Sequence, residues 1–165
     1  MCVRFLEFGS QGYMQELMRR VNSDPIFPDL RKTGRNATYT LRLEREPENG
    51  VKEDFTIGFA VVGGRISEVW AGESRTTPLT DLVFSGRYGV WVDLLRDRLR
   101  LGDALLSRKL TLRGETSEIY GPTVWMSPAP LFGVGMTAAT ERIVQVARGI
   151  PTEFHGKYES ESIRD

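Results

Sequence analysis

The sequence predicts a mixed α+β domain: a five-stranded, mainly antiparallel sheet covered by helices. Three observations carry that reading. Apolar residues recur at period two over Tyr39-Leu41-Leu43, Phe55-Ile57-Phe59-Val61 and the run from Arg65 to about Ala71. They recur at helical spacing over Tyr13-Met14-Leu17-Met18-Val21, Tyr88-Trp91-Leu94-Leu95-Leu99 and Met136-Ala139-Ile143-Val146-Ala147. Gly63-Gly64 stands between two of the alternating runs, the composition of a two-residue hairpin turn.

Taken in order, the first helix runs through Tyr13 to Val21 and stops at Asn22-Ser23-Asp24-Pro25, because the residue before a proline avoids the helical region. Thr38 to Glu44 is the first predicted strand, Pro47 to Gly50 the connection, and Phe55 to Val61 the second strand. With the strand after Gly63-Gly64 these form an antiparallel meander. Leu79 to Ser85 reads as a fourth strand. A helix bearing Trp91, Leu94, Leu95 and Leu99 follows, breaks near Arg100 to Gly102, and resumes through Leu101, Ala104 and Leu105. Leu110 and Leu112 alternate with Thr111 and Arg113 in a fifth strand closed by Gly114. The last helix ends at Gly149 and Pro151. Residues 1–154 read as one domain and residues 155–165 as a polar C-terminal tail, with His155 solvated.

With 165 residues, 40% of them hydrophobic and 27% charged, the chain is expected to fold as one globular unit. Lys and Arg total 22 and Asp and Glu total 22, so no global field draws nucleic acid or anionic membrane. The single cysteine, Cys2, provides neither a disulfide nor a thiolate metal cluster, and no secretory or peroxisomal signal is evident. A cytoplasmic protein is expected.

Residues 119–140 carry no charge, a length that could cross a bilayer. Pro122, Pro128, Pro130 and the glycines among them argue against a continuous helix. A buried connector and an apolar flap presenting Trp125, Met126, Leu131 and Phe132 to a ligand are the two readings that remain.

Catalytic chemistry is sparse. The only histidine is His155, no Gly-x-Ser-x-Gly elbow presents a serine, and any metal would be left to carboxylates. Asp93, Asp97 and Asp103 sit among arginines, which suits a solvated, charge-paired face. Gly133-Val134-Gly135-Met136-Thr137-Ala138 fits a dinucleotide fingerprint in letters, but Ser127-Pro128-Ala129-Pro130 precedes it where a buried strand is needed. Arg96, Arg98, Arg100, Arg108, Lys109 and Arg113 form the strongest basic cluster, although the interleaved aspartates favour an ordinary wet face.

The stretch DLVFSGRYGVWVDLLRDRLRLGDALLSRKLTLRG, residues 81–114, resembles the signature half of the sterol carrier protein family of the sterol-transfer, type-two kind. The shared features are a strand ending in Ser-Gly, an aromatic segment with a tryptophan, a Leu-Leu helix, a short DALLSRKL helix and a strand ending in LRGE. YMQELMRRVNSDPIF and ERIVQVARGIPTEF resemble prokaryotic, stand-alone members, so the likeness spans nearly the whole chain.

The resemblance implies an apolar tunnel between sheet and helices that takes fatty acyl, sterol-like or isoprenoid ligands, with no catalysis and no cofactor. It places Phe84, Trp91, Leu94, Leu95, Leu99, Leu101, Leu105 and Leu106 on cavity-lining elements, and Met136, Ile143 and Val146 on the closing C-terminal helix. Trp125 and Phe132 join them as the flap. The inserted SEIYGPTVWMSPAPLFGVGM departs from the family and bears on the tunnel mouth. The partners expected are a hydrophobic small molecule, no nucleic acid, at most a transient membrane contact, and a second copy of the chain in a homodimer. The alternative function is a non-catalytic accessory or dimerisation module that docks through residues 119–136. An enzyme working with carboxylates alone is a third reading.

Overall fold

The computed structural model describes residues 4–30, 36–72, 80–114 and 133–164. Strand β1 (Leu6–Glu7) leads into α1 (Gln11–Ser23), whose first turn is capped by Ser10: its hydroxyl accepts from the Tyr13 N–H at 3.1 Å. Tyr13, Met14, Leu17 and Val21 form the buried stripe of α1, as their spacing predicts. Asp24 ends this helix and its carboxylate accepts from the Phe27 N–H at 2.9 Å, starting the short α2 (Phe27–Leu30).

The main sheet contains β2 (Ala37–Glu44), β3 (Phe55–Val62), β4 (Arg65–Gly72), β5 (Leu82–Arg87) and β6 (Leu110–Gly114), in spatial order β4-β3-β2-β5-β6. β3 pairs antiparallel with β2 and β4, and β6 pairs antiparallel with β5. The central pair β2 and β5 is parallel. The sheet is therefore the mainly antiparallel one expected. Gly63 and Gly64, at φ of 59° and 79°, make the predicted tight turn between β3 and β4.

Strand alternation sends Tyr39, Leu43, Ile57, Phe59, Leu82, Phe84, Leu110 and Leu112 to one face, where all are buried. Helix α1 packs over β3 and β4, α3 (Tyr88–Leu95) over β2 and β5, and α4 (Leu101–Leu106) over β6. The long α5 (Gly133–Ala147) lies against α1, α2 and α3. These helices close the inner face of the sheet.

Residues 155–164 depart from the polar tail read in the sequence. A 3-10 turn over Gly156–Glu161 folds back, and Ile163 exchanges main-chain hydrogen bonds with Thr152 at 2.8 and 3.0 Å. β7 (Thr152–Glu153) pairs in parallel with β1, joining the two ends of the described chain. Phe8 makes edge contacts with Tyr13, Tyr88 and Phe154, at centroid distances of 5.3, 5.7 and 5.6 Å. His155 is likewise not a free solvated side chain: its ring stacks on Phe55 at 4.9 Å, and Nε2 lies 3.0 Å from Glu7 Oε1. Gly156, Lys157, Glu159 and Ser160 are exposed, while Tyr158 and Ile163, with Phe154 ahead of them, pack on the core.

Candidate functional site

The inner face of β5 and β6 and the helices α3, α4 and α5 border the apolar region in which the family resemblance implies a ligand. Its orientation begins at the N-terminus of α3, where the buried carboxylate of Glu46 accepts from the Gly89 N–H at 2.5 Å and from the Asn49 amide at 2.9 Å. The Tyr158 hydroxyl donates to the same carboxylate at 3.1 and 3.2 Å, and Arg87 lies 3.1 Å away. Burial pushes the Glu46 carboxyl up, but the Gly89, Asn49 and Tyr158 donors and Arg87 outweigh it and hold it below its ordinary value. An ionised group thus caps α3 from a different strand connection.

Two residues further on, the Trp91 indole N–H donates to both the Arg42 and the Gly86 carbonyls at 3.2 Å. The polar edge of the ring is spent on the sheet backbone, and the side chain is buried. Leu94 and Leu95 continue that buried face.

Ionic groups hold the other ends. Arg148 on the segment after α5 donates from Nε to the Leu94 carbonyl at 3.0 Å and reaches Asp97 at 3.3 Å. Glu141 of α5 accepts from the Leu101 N–H at 3.0 Å, capping α4. Arg142 grips Asp24 with two bonds, Nε to Oδ2 at 2.9 Å and Nη2 to Oδ1 at 2.6 Å. Those Arg142 hydrogen bonds hold the Asp24 carboxyl below its usual range. Arg20 donates to the Gly149 carbonyl at 2.7 Å. The C-terminal half of α5 is tied to α1, α2, α3 and α4 by its rim.

Beside that rim Phe84, Trp91, Leu94, Leu95, Leu101 and Ile143 are buried as part of the continuous hydrophobic core, which also takes in Phe8, Tyr13 and Phe154, and Leu99, Leu105 and Val146 pack against it half-buried. Leu106 does not join them. It is 66% exposed, because Leu101, Ala104 and Leu105 take the inward side of α4 and leave it on the opposite side of the turn. Trp125 and Phe132 lie outside the described residues, as does the side chain of Met136. On the same elements Leu112, Ala104 and Ala139 are also buried in that core and are not among the ligand-binding residues expected from sequence. Leu112 has a signal in its alternation with Leu110, whereas the two alanines are too small to stand out.

No protein-family model matches the sequence, and no curated protein does. Solved structures do match. A crystal structure of sterol carrier protein 2 superposes with a TM-score of 0.69 at 19% identity, covering 87% of this chain and 99% of that one. The chain has the sterol carrier protein fold. A second structure, a conserved hypothetical protein from Thermus thermophilus, gives a TM-score of 0.67 at 19% identity over 86% of this chain and 88% of its own. The likeness is one of architecture. Among the described residues no helix is long and apolar enough to cross a membrane.

Proposed function

We propose that the protein binds a lipid, a fatty acyl, sterol-like or isoprenoid molecule, between the inner face of the sheet and α3, α4 and α5, and passes it on without chemical change. The observation that carries the reading is the division of this region: Phe84, Trp91, Leu95, Leu101 and Ile143 supply an apolar wall, while Glu141, Arg142 and Arg148 tie the helices together at its edge. The sterol carrier protein fold adds to it. The driving force is desolvation, roughly 0.8 kcal/mol for each methylene removed from water, so an acyl chain of about twelve gains on the order of 10 kcal/mol before entropic costs. The reading includes a cytoplasmic location and no catalytic step.

The test is direct. Protein purified without detergent is extracted with organic solvent and any lipid is identified by mass spectrometry, with a boiled and refolded sample as control. A lipid near one per chain supports the carrier. A protein that is empty and also fails to take up a fluorescent fatty acid overturns it.

A further inference from the structure

The sequence suggests that the basic cluster around α4 is neutralised by its aspartates, and the structure bears this out at one position only. Arg98 pairs with Asp93 and with Glu161. Among the described residues, Arg100, Arg108 and Lys109 have no carboxylate and no hydrogen-bond partner for their side chains, and all three are exposed. Arg100 stands immediately before α4, and Arg108 and Lys109 stand just after it. A helix of that length spans about 9 Å, so the cations bracket a small surface. Leu106 lies on that surface, 66% exposed. Asp103 is the acid that shares it.

Arg108 adds an independent sign. Its φ is +60°, the left-handed conformation that closes helices and is usually occupied by glycine. Its N–H bonds to the Leu105 carbonyl at 3.2 Å. A long basic side chain thus stands where the backbone favours glycine.

We propose that this face, Leu106 with Arg100, Arg108 and Lys109, docks the protein on an anionic lipid bilayer, the cations reading headgroup phosphates and Leu106 entering the interface. The inference rests on the carrier reading, since α4 also forms part of the apolar wall and docking there brings the wall to the membrane. Charge complementarity selects the partner: the chain is neutral overall, yet residues 96–113 hold six cations against Asp97 and Asp103. An exposed leucine with no aromatic residue in that span suits a bilayer better than single-stranded nucleic acid, which needs stacking platforms.

The experiment is co-sedimentation with phosphatidylcholine vesicles and with vesicles of phosphatidylcholine and phosphatidylglycerol, at low and high salt. Wild type binds the anionic vesicles, and salt weakens the binding. R108E/K109E lowers the affinity by at least about 25-fold, at about five-fold for each cation lost. R108G keeps the fold, because glycine suits the backbone there, and lowers vesicle affinity by about five-fold. L106S weakens binding to the same vesicles. Uptake of a fluorescent fatty acid from vesicle-free solution stays unchanged in R108E/K109E, which separates docking from ligand binding. Equal binding of wild type to neutral and anionic vesicles, or unchanged affinity in R108E/K109E, overturns the proposal. So does binding that the same variant abolishes for single-stranded RNA while vesicles are ignored. A protein that docks but takes up no lipid sinks the carrier reading and leaves the surface standing.

Discussion

Replacing Glu46 by glutamine tests how the wall helix α3 is held. The carboxylate is 5% exposed and its two oxygens divide the donors around it. Oε2 takes the Gly89 N–H at 2.5 Å, and Oε1 takes Asn49 at 2.9 Å with Arg87 at 3.1 Å. An amide keeps one acceptor and turns the other into a donor, so it must face either Gly89 or the Asn49-Arg87 pair with N–H against N–H. Hydrogen bonds to a charged group contribute roughly 1.5–3 kcal/mol each, and losing one such set with the other weakened costs about 3 kcal/mol. The sign of the pH dependence follows from the depressed carboxyl. Its contribution is full above the ordinary 4.5 and disappears as pH falls through the lower folded value. Urea unfolding of both proteins from neutral pH downward reads this directly: the gap between them is constant near neutrality and narrows below 4.5. A gap under about 0.5 kcal/mol at neutral pH, or one that acid leaves unchanged, refutes the capping argument.

Asp24→Asn removes one of the two oxygens that Arg142 grips and the charge that also receives the Phe27 N–H, and is expected to cost roughly 2–3 kcal/mol in urea unfolding at neutral pH. Since that carboxyl is also depressed, the loss shrinks as pH drops below its ordinary 3.8. Gly58→Ala places a methyl 2.3 Å from Trp70 Nε1 and Cε2, so the indole must lift from the outer face of the sheet. The expected cost is about 1–3 kcal/mol, and thermal melts should show it falling in a Trp70→Leu background. Trp91 is the sole tryptophan left when Trp70 and Trp125 are both changed to phenylalanine. On the carrier reading its fluorescence is quenched by a brominated fatty acid, and emission that saturating ligand leaves unaltered would place the binding site elsewhere.

The parts of the fold legible in sequence are those whose side chains repeat over several turns or strand pairs. Tyr13 to Val21 buries a full stripe, and the turn at Gly63-Gly64 admits one connection. Period alone says which strands exist and which side faces in, not which strand lies beside which, and the parallel pairing of β2 with β5 depends on the path between them. Two-residue strands such as β1 and β7 have no period to detect. Glu46 is invisible in sequence for a related reason: its Gly89 and Tyr158 partners lie 43 and 112 residues along the chain. At the site, Trp91, Leu94 and Leu95 are readable because a continuous helix sets their spacing. Leu106 is not, since Leu105-Leu106 offers two adjacent leucines and only the rotation of a six-residue helix decides which turns inward.

The rim accounts for the kind of selectivity a carrier built this way would have. The indole N–H of Trp91 is committed to two carbonyls of the sheet, Arg148 to the end of α3, Glu141 to the start of α4 and Arg142 to Asp24. Each bond orients a helix and at the same time uses a polar atom that could have faced a ligand, although Arg148 Nη2 stays buried with no hydrogen-bond partner among the described residues. On the carrier reading, a wall of Phe84, Leu95, Leu101 and Ile143 then discriminates chiefly by fit, and a missing methylene changes binding by only about 1–3 kcal/mol. Strong discrimination requires a buried donor or acceptor that the wrong ligand leaves unpaired. On the carrier reading, the same ionic contacts that position α3, α4 and α5 favour sorting of lipids mainly by length and shape, and leave recognition of headgroups to groups outside the apolar wall.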